Sequence, residues 1–195
     1  MKVLGICASP RKDGNTEILL EKLFAGARMS GAETEKLNLR DLNIAPCCEG
    51  EYDNVDDEGF SLVHDDMQLI FKKIQETDIL IAATPIFFGS ISAQMKTMVD
   101  RFQCVWLARN ILHKELFDKK KKGVFISVEA TQRQDFFDNA RAVIKNFFAT
   151  INVSYEKELF CGGVDKKGAI LDKTEILQEA YEVGRMISTS LVVGR

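Results

Sequence analysis

The chain has 195 residues, with 26 Lys and Arg against 29 Asp and Glu and a formal net charge of −3. That balance argues against a polyanion as the main partner, so no nucleic acid is expected. No apolar run approaches the ~20 residues of a membrane span, so no membrane partner is expected either. The length suits one domain with a sizeable core, expected over residues 1–195. The first residues read as a strand and not as a charged region followed by an apolar one, so a cytoplasmic location is expected. The five cysteines are odd in number, and Cys7 and Cys104 lie in apolar segments. Reduced thiols without a disulfide framework are expected.

Residues 2–8 form a short strand, apolar on both faces as a central parallel strand should be. It opens into Ser9-Pro10-Arg11-Lys12-Asp13-Gly14-Asn15-Thr16, and an amphipathic helix follows over residues 16–29. Hydroxyls, a Gly, an Asn and an Arg just before a helix N-terminus gather backbone N–H groups and positive potential at one point. That composition suits a phosphate; a plain capped turn is the other reading. No G-x-G-x-x-G is present and no Lys-Ser or Lys-Thr directly follows a Gly, which removes the dinucleotide fingerprint and the P-loop.

Residues 33–39 suit a half-exposed edge strand beside the first. Residues 40–64, with Pro46-Cys47-Cys48-Glu49-Gly50, read as an irregular insertion. Asp65-Asp66 start a helix whose apolar face is Met67, Leu69, Ile70, Phe71 and Ile74. Residues 79–83 form a third strand, ending in the loop Thr84-Pro85-Ile86-Phe87-Phe88-Gly89-Ser90. One long helix is expected over residues 92–108, with Asp100-Arg101 as an anchoring ion pair. The lysines at 119–122 read as a solvated approach to a fourth strand, residues 123–128. Glu129-Ala130-Thr131-Gln132 is the next strand-end loop; a helix over 136–151, a strand over 153–160 and a closing helix over 173–191 complete the chain.

Alternating strands and helices imply a three-layer α/β fold with a five-stranded parallel sheet in the order 2-1-3-4-5 and helices on both faces. Its crevice lies at the carboxyl ends of strands one and three. The loops at 9–16 and 85–90 then meet at one mouth. Donors and a cation on one side, Phe87, Phe88 and a close-approach Gly on the other, describe a ligand with a phosphate tail and a flat aromatic head. Flavin mononucleotide (FMN) fits. A low-molecular-weight phosphatase needs Cys-x5-Arg, and Asp13 stands where the Arg would be; a receiver domain needs acids where Ala8-Ser9 and Thr84-Pro85 stand.

Ser9-Pro10-Arg11 with Gly14-Asn15-Thr16, then Thr84 to Lys96 and Asp100-Arg101, resemble the NADPH-dependent FMN reductase family of flavodoxin-like proteins, and within it the iron-sulfur flavoproteins most. The resemblance implies that Ser9, Arg11, Gly14, Asn15 and Thr16 hold the FMN phosphate. It implies that Pro85, Ile86, Phe87, Phe88 and Gly89 wrap the isoalloxazine and that Glu129, Ala130 and Thr131 border its far side. Phe87 stands where the family often has Tyr. Of the cluster cysteines of iron-sulfur flavoproteins only Cys47 is matched; Gly50, Asp53 and Ser61 occupy the other places, so FMN without a cluster or other metal is expected. Zinc on Cys47, Cys48 and His64 is the metal alternative.

The implied activity is hydride transfer from NADPH or NADH to bound FMN and on to a flavin, quinone or other small acceptor, with no side chain as nucleophile or base. Neither His64 nor His113 is given a catalytic role. A non-enzymatic flavodoxin-like electron carrier is the alternative. Trp106, Leu107, Ile111 and Leu112, read as exposed, suggest a homodimer or homotetramer.

Overall fold

A computed structural model describes residues 1–47, 60–61 and 63–189. The elements are β1 (Lys2–Cys7), α1 (Asn15–Met29), β2 (Glu33–Asn38), α2 (Met67–Glu76), β3 (Ile79–Phe87), β4 (Ser90–Ile91), α3 (Ala93–Asp100), α4 (Gln103–Asn110), β5 (Lys121–Val128), α5 (Gln134–Thr150), β6 (Val153–Cys161) and α6 (Thr174–Thr189). The parallel sheet has the order β2-β1-β3-β5-β6, which is the expected 2-1-3-4-5 once the two-residue β4, antiparallel to β3, is set aside.

Strand periodicity divides the interior in two. Val3, Ile79, Ile81, Val124 and Ile126 point to one face and pack with α1 and α6. Leu4, Ile6, Leu80, Ala82 and Phe125 point to the other and pack with α2, α3, α4 and α5. Both faces are therefore covered, as continuously apolar central strands require. On the first face α1 and α6 touch backbone to backbone: a Cβ on Gly26 would lie 1.9 Å from the Tyr181 carbonyl oxygen, and one on Gly184 would lie 2.0 Å from that of Leu23. Only glycines allow that approach, and it fixes the axis of α1, whose N-terminus opens at the sheet's carboxyl rim.

Several expectations are corrected. Residues 84–87 are strand, because Thr84 and Pro85 stay in register with Ser127 and Val128 of β5, and Phe88-Gly89 make a two-residue hairpin turn with φ of 50° and 74°. The helix expected over 92–108 is two, α3 and α4, separated by Arg101 and Phe102. Arg101 is wholly buried and pairs with Asp65, not Asp100; Asp100 pairs with Lys96 one turn back. Lys121 is not solvated: it is 2% exposed, its Nζ donates to the Lys119 carbonyl at 2.9 Å and it lies over the Phe117 ring. Burial pushes its amine below the ordinary lysine range. Leu107 is buried in the core, whereas Trp106, Ile111 and Leu112 are exposed as expected. The final helix is described to Thr189.

Cys7, Cys104 and Cys161 are buried and Cys47 is exposed. Cys48, Gly50 and Asp53 lie outside the described residues. No described helix is long and apolar enough to cross a membrane.

Candidate cofactor-binding site

The rim is assembled from four strand ends. A buried hydroxyl network fixes three of them: Ser92 Oγ donates to the Ala8 carbonyl at 2.9 Å, Thr84 Oγ1 accepts from the Ser92 N–H at 3.0 Å, and Ser127 Oγ donates to the Thr84 carbonyl at 2.9 Å. Ser92 also caps α3 by accepting from the Met95 N–H. Among the described residues this network holds β1, β3 and β5 in one register. By sequence Thr84 belongs to a strand-end loop, Ser92 to a helix start and Ser127 to a strand, and their shared network becomes visible only once the partners are known.

After β1 the chain turns sharply. Ser9 Oγ accepts from the Arg11 N–H at 3.2 Å, and the Gly14 N–H returns to the Arg11 carbonyl at 3.1 Å. Helix α1 then starts from Gly14, and no side chain caps it. Its first-turn N–H groups, which have no intrahelical acceptors, and the positive end of its dipole are left for an anion. A Cβ at Gly14 would press on the turn, lying 3.0 Å from the Arg11 carbonyl oxygen and 3.1 Å from Ser9 Oγ.

The cleft in front of this turn has a volume of ≈ 210 Å³. Ser9, Arg11, Asn15, Thr16, Pro85, Ile86, Phe87, Glu129 and Ala130 all line it, so nine of the thirteen expected site residues converge there. Gly14 stands behind the turn. Phe88, Gly89 and Thr131, also expected there, do not line the cleft. Phe88 is fully exposed at the hairpin tip, and the Gly89 carbonyl accepts from Asn139 Nδ2 at 3.0 Å. Thr131 Oγ1 instead donates to Glu129 Oε2 at 3.0 Å.

Two features of the cleft were not legible in the sequence. Val164 and Asp165, after β6, complete its wall. Asn15 is the reason: its amide donates to the carbonyls of Val164 and Lys166 at 3.0 and 2.9 Å, and its Oδ1 accepts from the Ile170 N–H. With both donors so used, Asn15 offers an anion its backbone and not its side chain. The Arg11 guanidinium, on the surface, donates to the Asp165 carbonyl at 2.8 Å. Glu129 is 4% exposed, and its Oε1 has no hydrogen-bond partner among the described residues. An orphaned buried acceptor beside the cleft and an uncapped helix end are features that a ligand with a phosphate and polar ring edges satisfies.

Beneath the turn lies Glu17, 5% exposed. Its carboxylate accepts from the Asp13 N–H at 2.9 Å, from Lys36 Nζ at 2.6 Å and from Arg40 Nη1 at 3.0 Å. Burial alone would raise its carboxyl, but these donors outweigh burial and hold it at about 2.

His64 and His113 are both exposed and do not line the cleft. Among the described residues no three His, Cys, Asp or Glu side chains stand together as metal ligands. A larger cleft of ≈ 530 Å³ lies elsewhere, between α3, α4 and α5, and includes Cys47 and Trp106. None of the turn residues borders it.

A doubly covered parallel sheet in this order, with its cleft at the switch between β1 and β3, defines a flavodoxin-like protein. In that class, residues 1–154 match the model of the NADPH-dependent FMN reductases, and the chain belongs to that family. It is 39% identical over 101 residues to iron-sulfur flavoprotein MJ1083 of Methanocaldococcus jannaschii, covering 52% of this chain and 51% of that protein. It is 32% identical over 102 residues to YwqN of Bacillus subtilis, a putative NAD(P)H-dependent FMN-containing oxidoreductase, covering 52% of each. These alignments span about half the length of the relatives. The fold superposes with a TM-score of 0.70 on an NAD(P)H:quinone oxidoreductase from Methanothermobacter marburgensis, at 17% identity, covering 100% of this chain and 98% of that one.

Proposed function

We propose that this protein is an FMN-dependent NAD(P)H oxidoreductase that passes reducing equivalents from NADPH or NADH to a flavin, quinone or other small acceptor. The observation that carries this reading is the convergence of an uncapped helix end, an aromatic strand end and an orphaned buried carboxylate oxygen on one cleft. Bound FMN supplies hydride acceptance and onward electron transfer.

The chain's own residues bind and orient. Ser9, Gly14 and the first-turn N–H groups of Asn15 and Thr16 receive the phosphate. Arg11 leaves the Asp165 carbonyl for it, exchanging a neutral acceptor for a charged one. Pro85, Ile86 and Phe87 would form one wall for the flat ring system, with Glu129 and Ala130 opposite. Phe88, Gly89 and Thr131 keep supporting roles outside the wall. No side chain is asked to act as nucleophile or base, and no step requires a metal. A single domain, a cytoplasmic location and self-association through Trp106, Ile111 and Leu112 belong to the same reading.

The test is an absorption spectrum of the protein mixed with FMN, followed by anaerobic addition of NADPH and then NADH. A flavin spectrum bleached within seconds by either nucleotide is expected. A bound flavin that neither nucleotide bleaches would replace the enzyme by an electron carrier, and no bound flavin would end the proposal. Arg11→Ala should weaken FMN binding by about 1.5–3 kcal/mol, the worth of a charged hydrogen bond.

A further inference from the structure

The phosphate-accepting turn contains one residue whose backbone is costly to hold. Asp13 has φ of 52°, in the left-handed region that a non-glycine residue adopts only under constraint. Its side chain is exposed, with Lys167 Nζ 3.8 Å away as a salt-bridge partner. Its N–H, however, is bound at 2.9 Å by Glu17 Oε2. Glu17 sits one turn into α1, so one carboxylate ties the apex of the turn to the helix that the turn introduces.

The same carboxylate is anchored from below. Lys36 of β2 donates to its Oε1, and Arg40 donates to it at 3.0 and 3.4 Å and also reaches the Ser9 carbonyl at 3.4 Å. Lys36 is shared with Glu21, and Arg40 lies 3.7 Å from Asp41. The side chains of Glu17, Lys36 and Arg40 are 6%, 24% and 14% exposed, so the cluster is largely out of water. A negative charge close to a site meant for a phosphate would by itself repel it. Here the two cations compensate that charge, and the oxygen is left to act on the backbone.

We infer that Glu17 is a positioning residue for phosphate recognition: by holding the Asp13 N–H it keeps the turn in the left-handed form that leaves the first-turn N–H groups of α1 open to the cleft, and so makes the site select phosphorylated over unphosphorylated flavin. This inference rests on the flavin reading above and adds to it the residue that sets the discrimination. Glu17 touches no ligand. Its effect on the ring portion of a flavin, held at the far side of the cleft by Pro85 to Phe87 and Ala130, is nil.

Two variants separate reach from charge. Glu17→Asp keeps the charge that satisfies Lys36 and Arg40 but is one methylene short of Asp13; Glu17→Gln keeps the reach and an oxygen acceptor but loses the charge. Dissociation constants for FMN and for riboflavin are measured by flavin fluorescence quenching on the unreduced protein, with no nucleotide present. The expected result is an FMN-to-riboflavin affinity ratio lowered at least about tenfold in Glu17→Asp, the scale of one hydrogen bond to a charged acceptor. In Glu17→Gln the ratio should not fall, because the Asp13 N–H keeps an acceptor and Lys36 and Arg40, no longer compensated, favour the phosphate, and riboflavin affinity should be unchanged in both. A ratio unchanged in Glu17→Asp, a ratio that falls in Glu17→Gln, or an equal loss for both flavins would each overturn the assignment. A wild-type protein that binds FMN no better than riboflavin would instead remove the flavin reading, and this inference with it.

Discussion

Replacing Arg101 by Met should destabilise the protein by about 3–5 kcal/mol, the cost of leaving a buried charge without its partner. Arg101 is 0% exposed and Asp65 has a side chain 4% exposed, and they meet at 2.5 Å. Arg101 Nη1 also donates to the Ala45 carbonyl at 3.0 Å and Nη2 to Ser61 Oγ at 3.1 Å. Asp65 in turn accepts from the N–H groups of Ala45 and Met67, both at 2.9 Å. Burial pushes the Asp65 carboxyl up, but those N–H groups and the guanidinium hold it below the usual carboxylate range. In Arg101→Met the burial remains and the cation is gone, so the ionised carboxylate becomes a liability at neutral pH. The Asp65→Asn change made on top of Arg101→Met should therefore cost less than it does in the wild-type background, with a coupling of about 1–3 kcal/mol. Urea unfolding of the four proteins at pH 7 measures this, and the melting temperature of Arg101→Met should fall by roughly 6–20 °C, at 2–4 °C per kcal/mol for a chain of this size. An Arg101→Met protein within about 1 kcal/mol of wild type, or strictly additive losses in the double variant, would refute the reasoning.

Three further outcomes are expected. Phe88→Gly should stabilise the fold by about 0.5–1 kcal/mol, since the φ of 50° suits Gly and the 108% exposed ring packs against nothing to offset its strain; a lower urea midpoint would contradict this. Gly184→Ala should cost at least about 2 kcal/mol, because the new Cβ would lie 2.0 Å from the Leu23 carbonyl oxygen and the two helices must part; a calorimetric melt unchanged from wild type would show that the helices yield freely. The Glu17 carboxyl, lowered from 4.5 to about 2 on folding, contributes about 2–3 kcal/mol that is fully present above pH 4.5 and is lost as pH falls through 2. Urea midpoints at pH 5, 4 and 3 should therefore fall more steeply in wild type than in Glu17→Gln, and parallel curves would remove Glu17 from the acid response.

The strands, their order, the helical faces and the two loops that meet at the rim were legible in the amino-acid sequence, because each is written locally. Continuous apolar runs mark the central strands, spacings of three and four mark the helices, and hydroxyls with Gly before a helix mark an anion-seeking turn. What the tertiary structure alone decided has its partner far along the chain. Asn15 reads as a phosphate donor until its amide is seen spent on Val164, 149 residues away. Arg101 reads as the partner of Asp100 in an anchoring ion pair until Asp65, 36 residues back, is seen to claim it. Lys121 belongs to a run of lysines by sequence and to the Phe117 ring by position. Burial of a polar group is tolerated only where a donor or acceptor waits for it, and that match is a property of the packed fold, which neighbouring letters do not carry.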